Sequence, residues 1–147
     1  MIEIPTRALL VPELIVEDLS ASLRFWCDLA GFVAEYDRPE TGFAFLTREG
    51  VSFMLEQRSA ADRTWETAAL QRPYGRGVNF QITVAAIEPI LVAMRHADWP
   101  LFLDSEEKWY RVRGRETGVR QFLVQDPDGY LLRFSELLGW RDHSDSK

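Results

Sequence analysis

Phe122-Leu123-Val124-Gln125-Asp126-Pro127-Asp128-Gly129-Tyr130-Leu131-Leu132-Arg133-Phe134 is the stretch whose reading decides the fold. Two apolar runs flank an Asp-Pro-Asp-Gly turn, which predicts a β-hairpin with strands over 120–124 and 130–136. With Gln125 and Tyr130 flanking the turn, Val124 faces Leu131 and Phe122 faces Arg133, all on one face. Upstream, Val78-Asn79-Phe80-Gln81-Ile82-Thr83-Val84 alternates strictly, with Asn79, Gln81 and Thr83 on the polar face. A helix over 87–96 follows, burying Ile87, Ile90, Leu91 and Met94. Strand candidates at 101–103 and 109–112 lie between that helix and the hairpin. Counted as one strand, they give a β-α-β-β-β type of order.

The same order precedes it. A strand over 8–16 puts Leu10, Leu14 and Val16 on one face and Val11, Glu13 and Ile15 on the other. Asp18 or Ser20 caps a helix over 19–29, which Gly31 ends. Strands at 32–36, 43–47 and 51–56 are separated by turns at 39–42 and 48–50. Val16 matches Val84 at an offset of 68, and Gly50 matches Gly129 at 79. Two similar units of this kind share a sheet or a ligand site. The 147 residues are therefore read as a single domain with modules at about 8–57 and 77–138. The connection covers about 58–76, with a short helix expected at 64–70, and a polar tail covers 139–147.

Composition removes several classes. Cys27 stands alone, which excludes an intramolecular disulfide framework and a cysteine zinc knuckle. Seventeen Lys and Arg against 23 Asp and Glu leave a net charge of −6, which repels nucleic acid and anionic lipid surfaces. No run reaches the 18 or so apolar residues of a membrane span. The opening Met1-Ile2-Glu3-Ile4-Pro5 lacks the basic start and apolar stretch of a signal peptide, so the expected compartment is the cytoplasm. Nucleic acid and membrane are not expected partners.

The closing hairpin over 122–134 resembles that of the vicinal oxygen chelate superfamily. Val16-Glu17-Asp18-Leu19, then Phe25-Trp26 and Leu29-Ala30-Gly31-Phe32, look like its opening strand and helix. This superfamily holds glyoxalase I, extradiol dioxygenases, fosfomycin resistance enzymes and bleomycin resistance proteins. The resemblance covers about residues 8–138. It implies an α+β fold, glyoxalase/bleomycin resistance-like, in which two βαβββ modules form a curled mixed sheet around a cleft. It also implies a homodimer.

Enzymes of the superfamily hold a divalent metal with His, Gln or Glu at four inward positions, which match Val11, Met54, Asn79 and Arg133 here. Valine has no donor atom, methionine is a soft thioether, and arginine repels a cation. Asn79 offers one carbonyl. The two histidines stand apart, His96 at a helix end and His143 in the polar tail, both expected in solvent. Neither metal nor cofactor is expected.

Strand alternation gives the expected cleft lining: Glu13, Phe43, Phe45, Met54 and Glu56 from the first module, and Asn79, Gln81, Phe122 and Arg133 from the second. Trp109 and Tyr110 stand near its mouth by the resemblance. Rings with scattered polar groups suit an aromatic or amphiphilic small molecule. The resemblance thus implies a metal-independent binding protein similar to the bleomycin resistance proteins, sequestering its ligand without catalytic residues. Arg133 in the cleft disfavours a polycationic drug. The alternative is a glyoxalase- or dioxygenase-type lyase or oxidoreductase with a non-standard metal site, Glu13 and Glu56 serving as ligands or bases.

Overall fold

A computed structural model describes residues 8–59 and 64–143. The chain divides into two compact units, Met1–Arg72 and Pro73–Lys147.

The first unit contains β1 (Glu13–Val16), α1 (Leu19–Leu23), β2 (Val33–Arg38), β3 (Phe43–Arg48) and β4 (Val51–Gln57). Its sheet runs β1-β4-β3-β2, with β1 parallel to β4 and the other pairs antiparallel. The Asp18 carboxylate accepts from the Ala21 N–H at 3.2 Å and starts α1. The helix then widens into a π-helical stretch, Arg24–Leu29, where the Ala30 N–H donates to the Phe25 carbonyl. That stretch buries Phe25 and Trp26, and the Trp26 ring lies 4.9 Å from Phe53 of β4 and 5.1 Å from Phe32. Leu14, Val16, Ala44, Leu46, Phe53 and Leu55 supply the sheet's side of this core. Leu10 does not join Leu14 and Val16; it precedes β1 and is 81% exposed.

The second unit contains β5 (Asn79–Thr83), α2 (Glu88–His96), β6 (Leu103–Val112), β7 (Arg115–Gln125) and β8 (Leu131–Asp142). Its sheet, β5-β8-β7-β6, repeats the first topology. The repeat extends to individual bonds. The Leu19 N–H donates to Gln57 Oε1 at 2.9 Å, and the Ile87 N–H donates to Glu136 Oε1 at 3.0 Å. Glu13 pairs with Met54, as Gln81 does with Arg133. Each comparison keeps the offsets of 68 and 79 seen in the sequence.

Four expectations need correction. Residues 64–70 form no helix. The two short strands expected at 101–103 and 109–112 are one ten-residue strand, β6. It is an edge strand exposed along most of its length, so Asp104 to Lys108 needed no apolar alternation to pair with β7. A tight turn at Arg113-Gly114, with Arg113 at φ 58°, joins the two. The polar tail expected from 139 instead begins inside β8, which continues to Asp142.

The fourth correction concerns register. Phe122 pairs with Phe134 and Val124 with Leu132, while Leu123 is the residue opposite Arg133. The connection takes up Tyr130 as well as the Asp-Pro-Asp-Gly turn, because the buried Asp126 carboxylate accepts from the N–H of Asp128 and of Tyr130. One extra loop residue moves each partner by one. Phe122, Val124, Leu132 and Phe134 consequently form a core face at 0% exposure, with the two phenylalanine rings stacked 5.4 Å apart. Phe122→Ala should therefore cost about 3–5 kcal/mol in urea unfolding, and Leu123→Ala no more than about 1–2 kcal/mol. The reverse order would indicate the register expected from the sequence.

Candidate functional site

Alternation in the first unit brings all five of its predicted site residues to the sheet face opposite α1. Phe45 pairs with Met54, Phe43 with Glu56, and Glu13 with Met54. Two residues that the sequence reading missed join them from β2: Tyr36 opposite Phe45, and Arg38 opposite Phe43. The Tyr36 ring stacks on Phe45 at 5.1 Å and 8°, and the Arg38 guanidinium stands 4.0 Å over Phe43. The two phenylalanine rings are themselves buried, at 6% and 4% exposure, and so are not an open floor.

Glu13 and Glu56 meet on that face. Burial pushes the Glu13 carboxyl up to about 7, helped by its hydrogen bond with Glu56 and by the Glu56 charge, while Arg38 pulls the other way. The Glu13 carboxyl is therefore more readily protonated than an ordinary carboxyl.

The second unit carries a separate cavity of about 240 Å³ on the sheet face away from Phe122 and Phe134. Gln81 of β5, Arg133 and Ser135 of β8, Thr117, Val119 and Gln121 of β7 and Tyr110 of β6 line it. Asn79 lies on the same face of β5, two residues from Gln81, and is exposed. The Gln121 Nε2 group donates to Glu106 Oε1 at 3.0 Å and to the Tyr110 hydroxyl oxygen at 2.7 Å. The Arg133 Nε is buried and has no hydrogen-bond partner among the described residues.

Two predicted site residues fall elsewhere. Phe122 faces the core for the register reason given above. Trp109 pairs with Gly118, one step out of phase with Tyr110, so it lies on the face opposite the cavity. Its ring takes the space where Gly118 lacks a side chain, and the Arg141 guanidinium covers it at 4.1 Å. Gln121 was missed because the expected register put its neighbour Phe122 on the cavity face. His143, expected in solvent, is half-buried with its Nδ1 3.2 Å from Glu116 Oε2. Hydrogen bonds from Arg141 and then His143 hold the Glu116 carboxyl below the usual carboxylate range.

Of the four positions that the resemblance matches to metal ligands, Val11 precedes β1, Asn79 pairs with Leu131, and Met54 and Arg133 pair with Glu13 and Gln81, a set that does not fit a divalent metal. In the first unit the β1–β4 register joins Glu13 to the Met54 thioether, and in the second a guanidinium stands opposite Gln81. Among the described residues no group of three or more His, Cys, Asp or Glu side chains is close enough to hold a metal ion. No described helix is long and apolar enough to cross a membrane.

Two βαβββ units, each with a helix on one sheet face and the candidate site residues on the other, make an α+β fold of the glyoxalase and bleomycin resistance type. No family model and no curated protein matches the chain. Among solved structures, a glyoxalase/bleomycin resistance protein/dioxygenase superfamily member from Vibrio splendidus 12B01 is 38% identical, with 86% of this chain and 95% of that one covered and a TM-score of 0.39. TioX from Micromonospora sp. ML1 is 18% identical, with 91% and 100% covered and a TM-score of 0.68. A glyoxalase/bleomycin resistance protein/dioxygenase from Alicyclobacillus acidocaldarius is 16% identical, with 88% and 90% covered and a TM-score of 0.58. The first establishes kinship by sequence and the other two establish the fold. The chain belongs to the glyoxalase/bleomycin resistance protein/dioxygenase superfamily, the vicinal oxygen chelate group.

The Glu13–Glu56 pair has a measurable consequence. A carboxyl whose folded pKa is raised from 4.5 to about 7 binds more protons folded than unfolded in between, so its contribution to stability falls as pH rises through that window. Glu13→Gln should flatten the melting temperature between pH 5 and 8 and raise it above pH 7. An unchanged pH profile in the variant would show that the Glu13 carboxyl is not raised.

Proposed function

We propose that this chain is a metal-independent, homodimeric small-molecule-binding protein of the cytoplasm, similar in role to the bleomycin resistance proteins of its superfamily, which sequesters an aromatic or amphiphilic ligand. The observation that carries this reading is Arg133. A guanidinium at a position where related enzymes place a metal ligand repels a divalent cation and offers hydrogen bonds to a ligand instead. Gln81, Tyr110 and Gln121 surround it with groups that orient a bound molecule, and none of them is a nucleophile with an adjacent base. Homodimer formation is supported by Leu137 and Trp140, 59% and 50% exposed on the cavity's face of β8, apolar surface of the kind that a second copy covers.

A second reading, a metal-dependent lyase or oxidoreductase of the glyoxalase or dioxygenase type, draws on the Glu13–Glu56 pair as a non-standard site. Calorimetric titration with Mn²⁺, Ni²⁺ and Zn²⁺, followed by a chelator, separates the two. The binding-protein reading expects no stoichiometric, chelator-sensitive uptake at tens of micromolar, and such uptake would overturn it. It also expects a particle of two chains by light scattering. In a thermal-shift screen of aromatic and amphiphilic compounds, including a bleomycin-type drug, a true ligand at a hundredfold excess over its Kd adds about 2.7 kcal/mol of stability. A screen in which no such compound raises the melting temperature would also count against this reading.

A further inference from the structure

We infer that the cavity of the second unit is an oxyanion site for a small organic carboxylate, its acid group on Arg133 and a hydroxyl or amine hydrogen of the ligand on Gln121. The inference deepens the binding-protein reading and rests on it. The Arg133 side chain lines the cavity. Its Nε is buried and without an acceptor among the described residues, so none of them holds that side of the guanidinium. Arginine's planar fork matches a carboxylate, which can accept two parallel hydrogen bonds from it.

The neighbouring hydrogen bonds set the polarity of the rest of the site. A carboxylate only accepts, so the contact with Glu106 fixes the Gln121 amide with its NH₂ toward Glu106 and Tyr110. Both amide hydrogens are used there, and Gln121 Oε1 is left as the acceptor. The Tyr110 oxygen accepts from Gln121, so its own hydroxyl hydrogen is free to be donated elsewhere. The cavity therefore presents donors from Arg133 and Tyr110 beside an acceptor from Gln121, while Gln81, Thr117 and Ser135 add groups that can donate or accept. That pattern fits an acid carrying a second, hydrogen-donating group, and the permanent charge of Arg133 discriminates against an ammonium. The volume of about 240 Å³ lies below the roughly 300–1,000 Å³ of drug-sized pockets, which suits a molecule of a single ring.

Titration of ¹⁵N-labelled full-length protein by NMR tests this with four matched probes: 4-hydroxybenzoate, 4-hydroxybenzamide, 4-hydroxybenzylamine and phenyl phosphate. The expected result is that 4-hydroxybenzoate shifts the amides of Gln81, Tyr110, Gln121 and Ser135, and that the neutral amide and the amine bind about tenfold more weakly or not at all. Arg133→Gln should reduce carboxylate affinity about tenfold. Tyr110→Phe, which removes only the hydroxyl that accepts from Gln121, should reduce it severalfold and serves if the arginine variant does not fold. Equal binding of the amide or the amine, or carboxylate binding that survives both substitutions, would overturn the inference. Tighter binding of phenyl phosphate would overturn the carboxylate assignment in favour of a phosphate ester. No shift with either anion at tens of millimolar would overturn the site itself, while the metal titration and thermal-shift screen still decide whether the chain is a binding protein.

Discussion

The two hydrogen bonds that the Asp126 carboxylate accepts from the N–H groups of Asp128 and Tyr130 set the length of one loop, and that length governs much of the second unit. A five-residue connection between β7 and β8 places Phe122 against Phe134 and leaves Arg133 facing the cavity with Gln81. Because side chains alternate strictly along a strand, a connection shorter by one residue would set the guanidinium opposite a core phenylalanine. That arrangement would desolvate a permanent charge without a partner, which is among the costliest errors a core can contain. The buried Asp126 thus defends both the core and the polar cavity face at once.

The duplicated scaffold shows where divergence is tolerated. In each unit the first and last strands pair in parallel, and a side chain of the last strand, Gln57 in one case and Glu136 in the other, accepts a backbone N–H where the helix begins. The helix-facing positions stay apolar in both units because they are the core. The opposite faces carry different chemistry. The first unit presents stacked rings, a thioether and two neighbouring carboxyls, whereas the second presents a guanidinium, two glutamines and a tyrosine hydroxyl. Backbone pairing constrains the position of these residues and leaves their identity free.

What was legible followed the period of the strands. The alternation through β4 and the turns on either side of β3 sufficed to bring Glu13, Phe43, Phe45, Met54 and Glu56 to one face. Tyr36 and Arg38 escaped notice because β2 is exposed along its whole length and carries no apolar alternation. Trp109 was misplaced for a related reason: β6 is an edge strand with solvent along most of its residues, so its phase is set only by pairing with β7. Gln121 would have been found from its alternation with Leu123 had the loop been counted one residue longer.

The sequence by itself determined the duplication with its two offsets, the closing hairpin with its turn, the superfamily, and that Val11, Met54, Asn79 and Arg133, at the positions the resemblance matches to metal ligands, include no His, Gln or Glu. These depend on residue types and local periodicity, which the chain carries without being folded. Tertiary structure alone decided which strand residues face one another across the hairpin, that Phe122 belongs to the core, that burial beside Glu56 raises the Glu13 carboxyl, and that the Arg133 Nε is buried without an acceptor among the described residues. Each of those is a relation between residues distant in sequence or depends on the exact path of a loop, and a one-residue difference in that path inverts the face on which the chemistry stands.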